Sequence, residues 1–174
     1  LGGGASIQGQ GKFKIDAGHS TTIYNGEAVK ISSGYVVGGQ GSAADTLGVL
    51  NGIFYNDAST LKPTFANFYK ATITPANSED TTAFVIDDPF QQYVVAADTA
   101  TGVATFLETY DMNSSAGSDT TGKSSSTLAI GTTSANDKQF RMLRSAEDPE
   151  NEDATAVRHS VIVVSNQNSF NGHN

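Results

Sequence analysis

The chain has no cysteine and no tryptophan, and only four of its 174 residues are proline. Without cysteine there are no disulfide staples and no thiolate metal sites. Without tryptophan, any sugar-stacking platform has to be built from tyrosine and phenylalanine. Charge is also scarce: 16% of residues are Asp, Glu, Lys or Arg, against about 25% in ordinary globular domains. The scarcity falls on the basic side, with 10 Lys and Arg against 18 Asp and Glu, a net charge of −8 and a pI near 4.6. Such a surface repels phosphate backbones and anionic lipid headgroups unless basic residues are segregated into a patch. Lys12 with Lys14, and Arg141 with Arg144, are too few to make one. Nucleic acid and membrane are therefore excluded as expected partners. No stretch approaches the roughly 20 consecutive apolar residues of a membrane-spanning helix.

The remainder is rich in Gly, Ser, Thr, Asn and Ala, and hydrophobic residues make up 37%. This composition favours turns and short strands over long helices. Residues 1–12, with five glycines, read as a flexible N-terminal arm. Leu1-Gly2-Gly3-Gly4 reads as the interior of a longer polypeptide. Lys12-Phe13-Lys14-Ile15 alternates polar and apolar, the period of a half-buried strand. Short strands are also expected around 21–24, 27–31, 35–37, 46–55, 71–74, 83–86, 92–97, 128–130, 139–143 and 156–164. The Asn25-Gly26 and Ser33-Gly34 pairs mark turns. Gly48 and Gly52, inside the longest apolar run of the first half, signal a bulge or a close backbone approach. Phe65, Phe68 and Tyr69 read as a loop laying aromatics on the core, and Val103, Phe106, Leu107 and Tyr110 have the spacing of a short helix. The Val161-Ile162-Val163-Val164 run implies burial on both faces. No composition shift cuts a boundary. The expectation is an all-β fold, a compact antiparallel sandwich or barrel over 13–165 with long Ser/Thr/Gly loops, and a polar tail at 166–174.

Gly117-Ser118-Asp119-Thr120-Thr121-Gly122-Lys123-Ser124 satisfies the pattern of a phosphate-cradling loop. That loop works only between a buried strand and a long helix, whose N-terminus and amides converge on phosphate. Here Asn113-Ser114-Ser115-Ala116 precedes it and Ser125-Ser126-Thr127 follows, so it is read as an exposed polar loop. His19, His159 and His173 lack metal-ligand spacing, and no Gly-x-Ser-x-Gly elbow presents a nucleophile. Asp87-Asp88-Pro89 offers adjacent carboxylates for acid–base work or calcium. Neighbouring side chains on a strand point to opposite faces, so the pair reads as a turn. Glu147-Asp148-Pro149-Glu150-Asn151-Glu152-Asp153 lacks the order of a calcium-binding loop and reads as a solvated acidic loop. Phe54, Tyr55, Phe65, Phe68 and Tyr69 read as core, in a chain with few other large apolar residues. No catalytic residue, metal ligand or cofactor site is expected.

An ordered series remains: Gly26-Glu27-Ala28-Val29, Gly48-Val49 with Gly52 and Tyr55, Asn67-Phe68-Tyr69, Val85-Ile86-Asp87-Asp88-Pro89, Tyr93-Val94-Val95-Ala96, and Val161-Ile162-Val163-Val164-Ser165-Asn166. Each piece has little specificity. In this order, over about residues 15–166, the chain resembles the head decoration (cement) proteins of short-tailed bacteriophages. It departs from that family at Gly26-Glu27, where Gly-Asp is common. The resemblance implies a non-enzymatic virion protein bound to the outer surface of the major capsid protein lattice. It would be a homotrimer or dimer that clamps neighbouring subunits multivalently. The candidate capsid or inter-subunit contacts are Leu1, Gly2, Gly3, Gly4, Glu147, Asp148, Glu150, Asn168 and Phe170, from the arms and the acidic loop. The competing expectation is a carbohydrate-binding or adhesin-like β-module using the aromatics and Asp loops.

Overall fold

A computed structural model describes residues 9–39, 45–113, 117–132, 138–149 and 154–170. Among the described residues the regular structure is ten strands and three single 3₁₀ turns, so the fold is all-β. The strands are β1 (Gly11–Ile15), β2 (Ala28–Ser32), β3 (Tyr35–Gly38), β4 (Gly48–Asn56), β5 (Pro63–Ala66), β6 (Thr81–Ile86), β7 (Gln92–Ala96), β8 (Thr109–Tyr110), β9 (Phe140–Ser145) and β10 (Ser160–Ser165). All strand pairs are antiparallel. The chain forms two compact units and passes between them repeatedly. The first unit is built from Leu1–Gly38, Leu47–Asp88 and Gly117–Ser124, the second from Gly39–Thr46, Pro89–Ala116 and Ser125–Asn174.

In the first unit the sheet order is β1-β6-β4-β2-β3, with β5 also on β4. The nine-residue β4 is its spine. One edge pairs with β6; the other pairs first with β2 and then with β5. The sheet curls until β1 and β3, its two ends, come within 8 Å of each other. Inside lie Ile15, Ile23, Val29, Val36, Leu47, Leu50, Ile53, Tyr69, Ala83 and Val85. Strict alternation would send Leu50 and Ile53 to opposite faces. The ladder to β6 shifts register between Leu50 and Gly52, and the extra residue turns both side chains inward, each 1% exposed. Gly52 carries φ +155° at this bulge, as its position in the apolar run implied. The β2–β3 hairpin turns through Ser33 and Gly34, both at positive φ, the geometry that matches strand twist.

The second unit holds the sheet β7-β10-β9-β8. Val161 and Val163 of β10 are buried, while Ile162 and Val164 are only partly so. This strand is therefore buried on one face, not on both as its apolar run implied. The edges of the helical spacing at 103–110 dissolve into one 3₁₀ turn (Val103–Thr105) and β8. Segment 21–24 forms only an isolated bridge from Ile23 to Tyr69, and 128–130 forms bridges at Leu128 and opens a 3₁₀ turn at Ile130 in place of a strand. The stretch 71–74 is not a strand either, whereas 63–66, read as loop, is β5. Local sequence at these places is compatible with either state, and ladder partners elsewhere in the chain decide between them.

Candidate interaction surface

The outward face of the first sheet carries a row of aromatics. Phe54 on β4 and Phe65 on β5 are direct cross-strand partners with ring centroids 4.8 Å apart. Phe65 also leans diagonally toward Phe84 on β6, at 6.3 Å with nearly parallel planes. It can do so because the β4 residue paired with Phe84 is Gly52, which has no side chain in the way. The gap over Gly52 is a shallow depression of about 320 Å³, bounded by Gln10, Asn51, Ile53, Phe65, Ala66 and Phe84. Beyond Phe84 the row continues into Lys12, its partner on β1, and Lys14, whose ammonium donates to the Thr82 hydroxyl at 3.1 Å.

Phe65 is 73% exposed. The reading of the five aromatics as core is thus corrected: Tyr69 is buried, Phe54, Tyr55 and Phe68 are half-buried, and Phe65 faces solvent. The alternation of β5 puts Thr64 and Ala66 toward the sheet body and leaves Phe65 outside. One exposed ring flanked by two half-buried ones on adjacent strands forms a contiguous apolar patch rather than a single scattered aromatic. β5 adds to this, since among the described residues its second edge has no strand partner. Leu61, at φ 55° and 74% exposed, stands on the loop leading into it.

No family model, curated protein or solved structure matches this chain.

The residues singled out from sequence are distributed as follows. Leu1, Gly2, Gly3, Gly4 and Glu150 lie outside the described residues. Glu147 and Asp148 are exposed after β9. Glu147 adopts φ 52° and its carboxylate lies 4.0 Å from the Arg144 guanidinium. Asn168 is buried, and its side-chain oxygen accepts the Phe170 amide at 2.9 Å. Backbone hydrogen bonds from Thr46 to Gln167 and from Ser169 to Thr46 tie down this part of the chain. Residues 166–170 are accordingly anchored rather than extended as an arm, and of the two tail candidates Phe170 is the one on the surface, at 56% exposure.

The phosphate-loop look-alike is a tether inside the first unit. Gly122 donates to Ser118 and Ser118 to Lys123, so amides that would have to face a phosphate are used within the loop. Asn25 donates to Gly122 and Ser124 to Asn25. Asp119 accepts the Tyr24 hydroxyl at 2.8 Å, and Asn67 donates to the Thr121 carbonyl at 3.0 Å. Tyr24 in turn stacks on Phe68. Asp87 and Asp88 follow β6 without regular structure, and the Asp87 carboxylate lies across Gly11. Burial lowers the pKa of His19 against the opposing pull of Asp16, and its ring packs 5.5 Å from Tyr69. Among the described residues, no group of three or more His, Asp or Glu is placed to hold a metal ion, and no helix is long and apolar enough to cross a membrane.

The burial of Glu27 carried no signal in the sequence. Glu27, 5% exposed, accepts the Tyr24 amide at 2.9 Å. Burial raises its pKa to about 7, opposed by that hydrogen bond. A Glu after Asn-Gly looks like an ordinary turn residue, and only the enclosure by the curled sheet gives it this character.

Proposed function

We propose that this chain is a non-enzymatic structural protein that decorates the outer surface of a bacteriophage head, binding the major capsid protein lattice through the Phe65–Phe54–Phe84 face. The observation that carries the reading is this aromatic row. It is held on three hydrogen-bonded strands, is exposed at its centre, and needs no conformational change to engage a partner. Burying an exposed phenylalanine on a partner contributes about 1.5–3 kcal/mol, so a single face gives modest affinity. Repetition through a homotrimer or dimer on a repeating lattice converts modest contacts into avidity. The resemblance of the ordered sequence features to the decoration family supports the same reading, and the acidic loop at Glu147 and Asp148 suits a basic capsid patch.

Co-sedimentation with expanded phage heads tests it. The wild-type chain should pellet with heads and Phe65→Ser should remain in the supernatant. Equal pelleting of both would remove the aromatic face from the interface, and no pelleting of either would reject the capsid reading.

A further inference from the structure

Between the β4–β5 hairpin loop and the segment 70–74 lies an open cleft of about 600 Å³, whose polar lining is Tyr55, Asp57, Ser59, Lys70, Thr72 and Thr74. Phe65 is not part of its lining, so this site is independent of the capsid-binding face. Its geometry is fixed by the loop. Ala58 donates to the Thr74 carbonyl, Asp57 to Lys62, and Leu61 to Asp57, which pins both walls. One oxygen of Asp57, Oδ1, accepts the Ser59 and Thr60 amides at 2.9 Å each, and both hydroxyls, at 2.5 and 3.2 Å. These bonds, the Ser59 hydroxyl first, hold the carboxyl below the usual carboxylate range. The second oxygen, Oδ2, takes none of them and remains an acceptor in a locked orientation.

The other groups complete a particular chemistry. Tyr55 supplies a half-buried ring and a hydroxyl. Thr72 and Thr74 are exposed hydroxyl bearers. The Lys70 ammonium is only loosely held, 3.7 Å from Asp119, and has donors to spare. An apolar ligand would leave these groups unpaired. A phosphate would meet the Asp57 carboxylate and find a single cation, which it would share with Asp119. A divalent cation would find one carboxylate where several oxygen ligands are needed. A ring carrying adjacent hydroxyls that both donate and accept, with an apolar C–H face for Tyr55, satisfies all of them.

We propose that this cleft binds a saccharide, seating one pyranose ring on Tyr55 with its hydroxyls donating to Asp57 Oδ2 and accepting from Lys70.

Amide chemical-shift titration of the intact chain with the methyl glycosides of glucose, galactose, mannose and N-acetylglucosamine tests this. At least one should shift the amides of 55–60 and 70–74 saturably. Asp57→Asn, which retains the side-chain acceptor that organises the turn, should weaken binding about tenfold, the loss of one charge-assisted hydrogen bond. Thr72→Ala, at an exposed position, should weaken it with no change in thermal midpoint. The proposal is overturned if none of the four glycosides shifts these amides, if the shifts persist unchanged in Asp57→Asn, or if inorganic phosphate or calcium ion binds there more tightly than the sugars.

Discussion

Gly48 faces the Ile86 carbonyl so closely that a Cβ at Gly48 would overlap it, and would press on a Val85 methyl as well. This contact joins the first residue of β4 to the last residue of β6. The obstacle is backbone, which cannot swing away as a side-chain end would. Gly48→Ala is therefore expected to destabilise by about 3 kcal/mol or more, read as a lower urea midpoint. Gly102→Ala, where a Cβ meets nothing within 4 Å, should change it by less than about 1 kcal/mol. Equal effects at the two sites would contradict the account of β4.

Glu27 makes stability depend on pH. Its folded pKa of about 7 stands above the ordinary carboxylate value of about 4.5. Between these values the folded chain binds more protons than the unfolded one, so stability falls as pH rises from about 4.5 to about 7. The whole difference corresponds to at most about 3 kcal/mol. Glu27→Gln keeps an acceptor for the Tyr24 amide and removes the charge. It should flatten this part of the urea-derived stability profile and leave the variant more stable at pH 8. A wild-type profile that rises through the same window and is unchanged in the variant would contradict the assignment.

The loop at 117–124 should not bind nucleotide, because its amides are engaged within the loop and to Asn25. Mg-ATP is expected to leave the thermal midpoint unchanged. Its real contribution is structural: Gly122 sits at φ +69° against Phe68 and Asn67, so Gly122→Ala should destabilise by about 1–2 kcal/mol. A midpoint raised by Mg-ATP would restore the phosphate-loop reading.

Much of the first sheet was legible along the chain because its signals are local. Asn25-Gly26 and Ser33-Gly34 announce turns that are formed, with both glycines at positive φ, and Lys12 to Ile15 shows its two faces in its own alternation. Gly48 and Gly52 announced an irregular spine. What escaped was set by distant partners. Phe65 looks like core until β5 is seen pairing with β4 on the side that leaves its ring outside. Val161 to Val164 looks buried throughout until only alternate residues prove enclosed. Interleaving hid the two units, since the chain leaves and re-enters the first one without any linker composition. The depression over Gly52 and the cleft at Asp57 depend on which strands become neighbours, and neither leaves a contiguous motif.

If the acidic loop docks on a basic capsid patch, Glu147→Gln with Asp148→Asn should weaken head binding and flatten its dependence on salt, because two screened charge contacts are lost. The measurement is a binding isotherm to expanded heads at two ionic strengths. An unchanged salt dependence would place the electrostatic contact elsewhere.

The most direct test of the central claim is an electron cryomicroscopy reconstruction of expanded phage heads saturated with this chain. The account predicts density for the chain on the outer capsid surface, repeated with the lattice, with the Phe65–Phe54–Phe84 face turned toward the major capsid protein. Density confined to the tail, or heads with no bound chain, would contradict it.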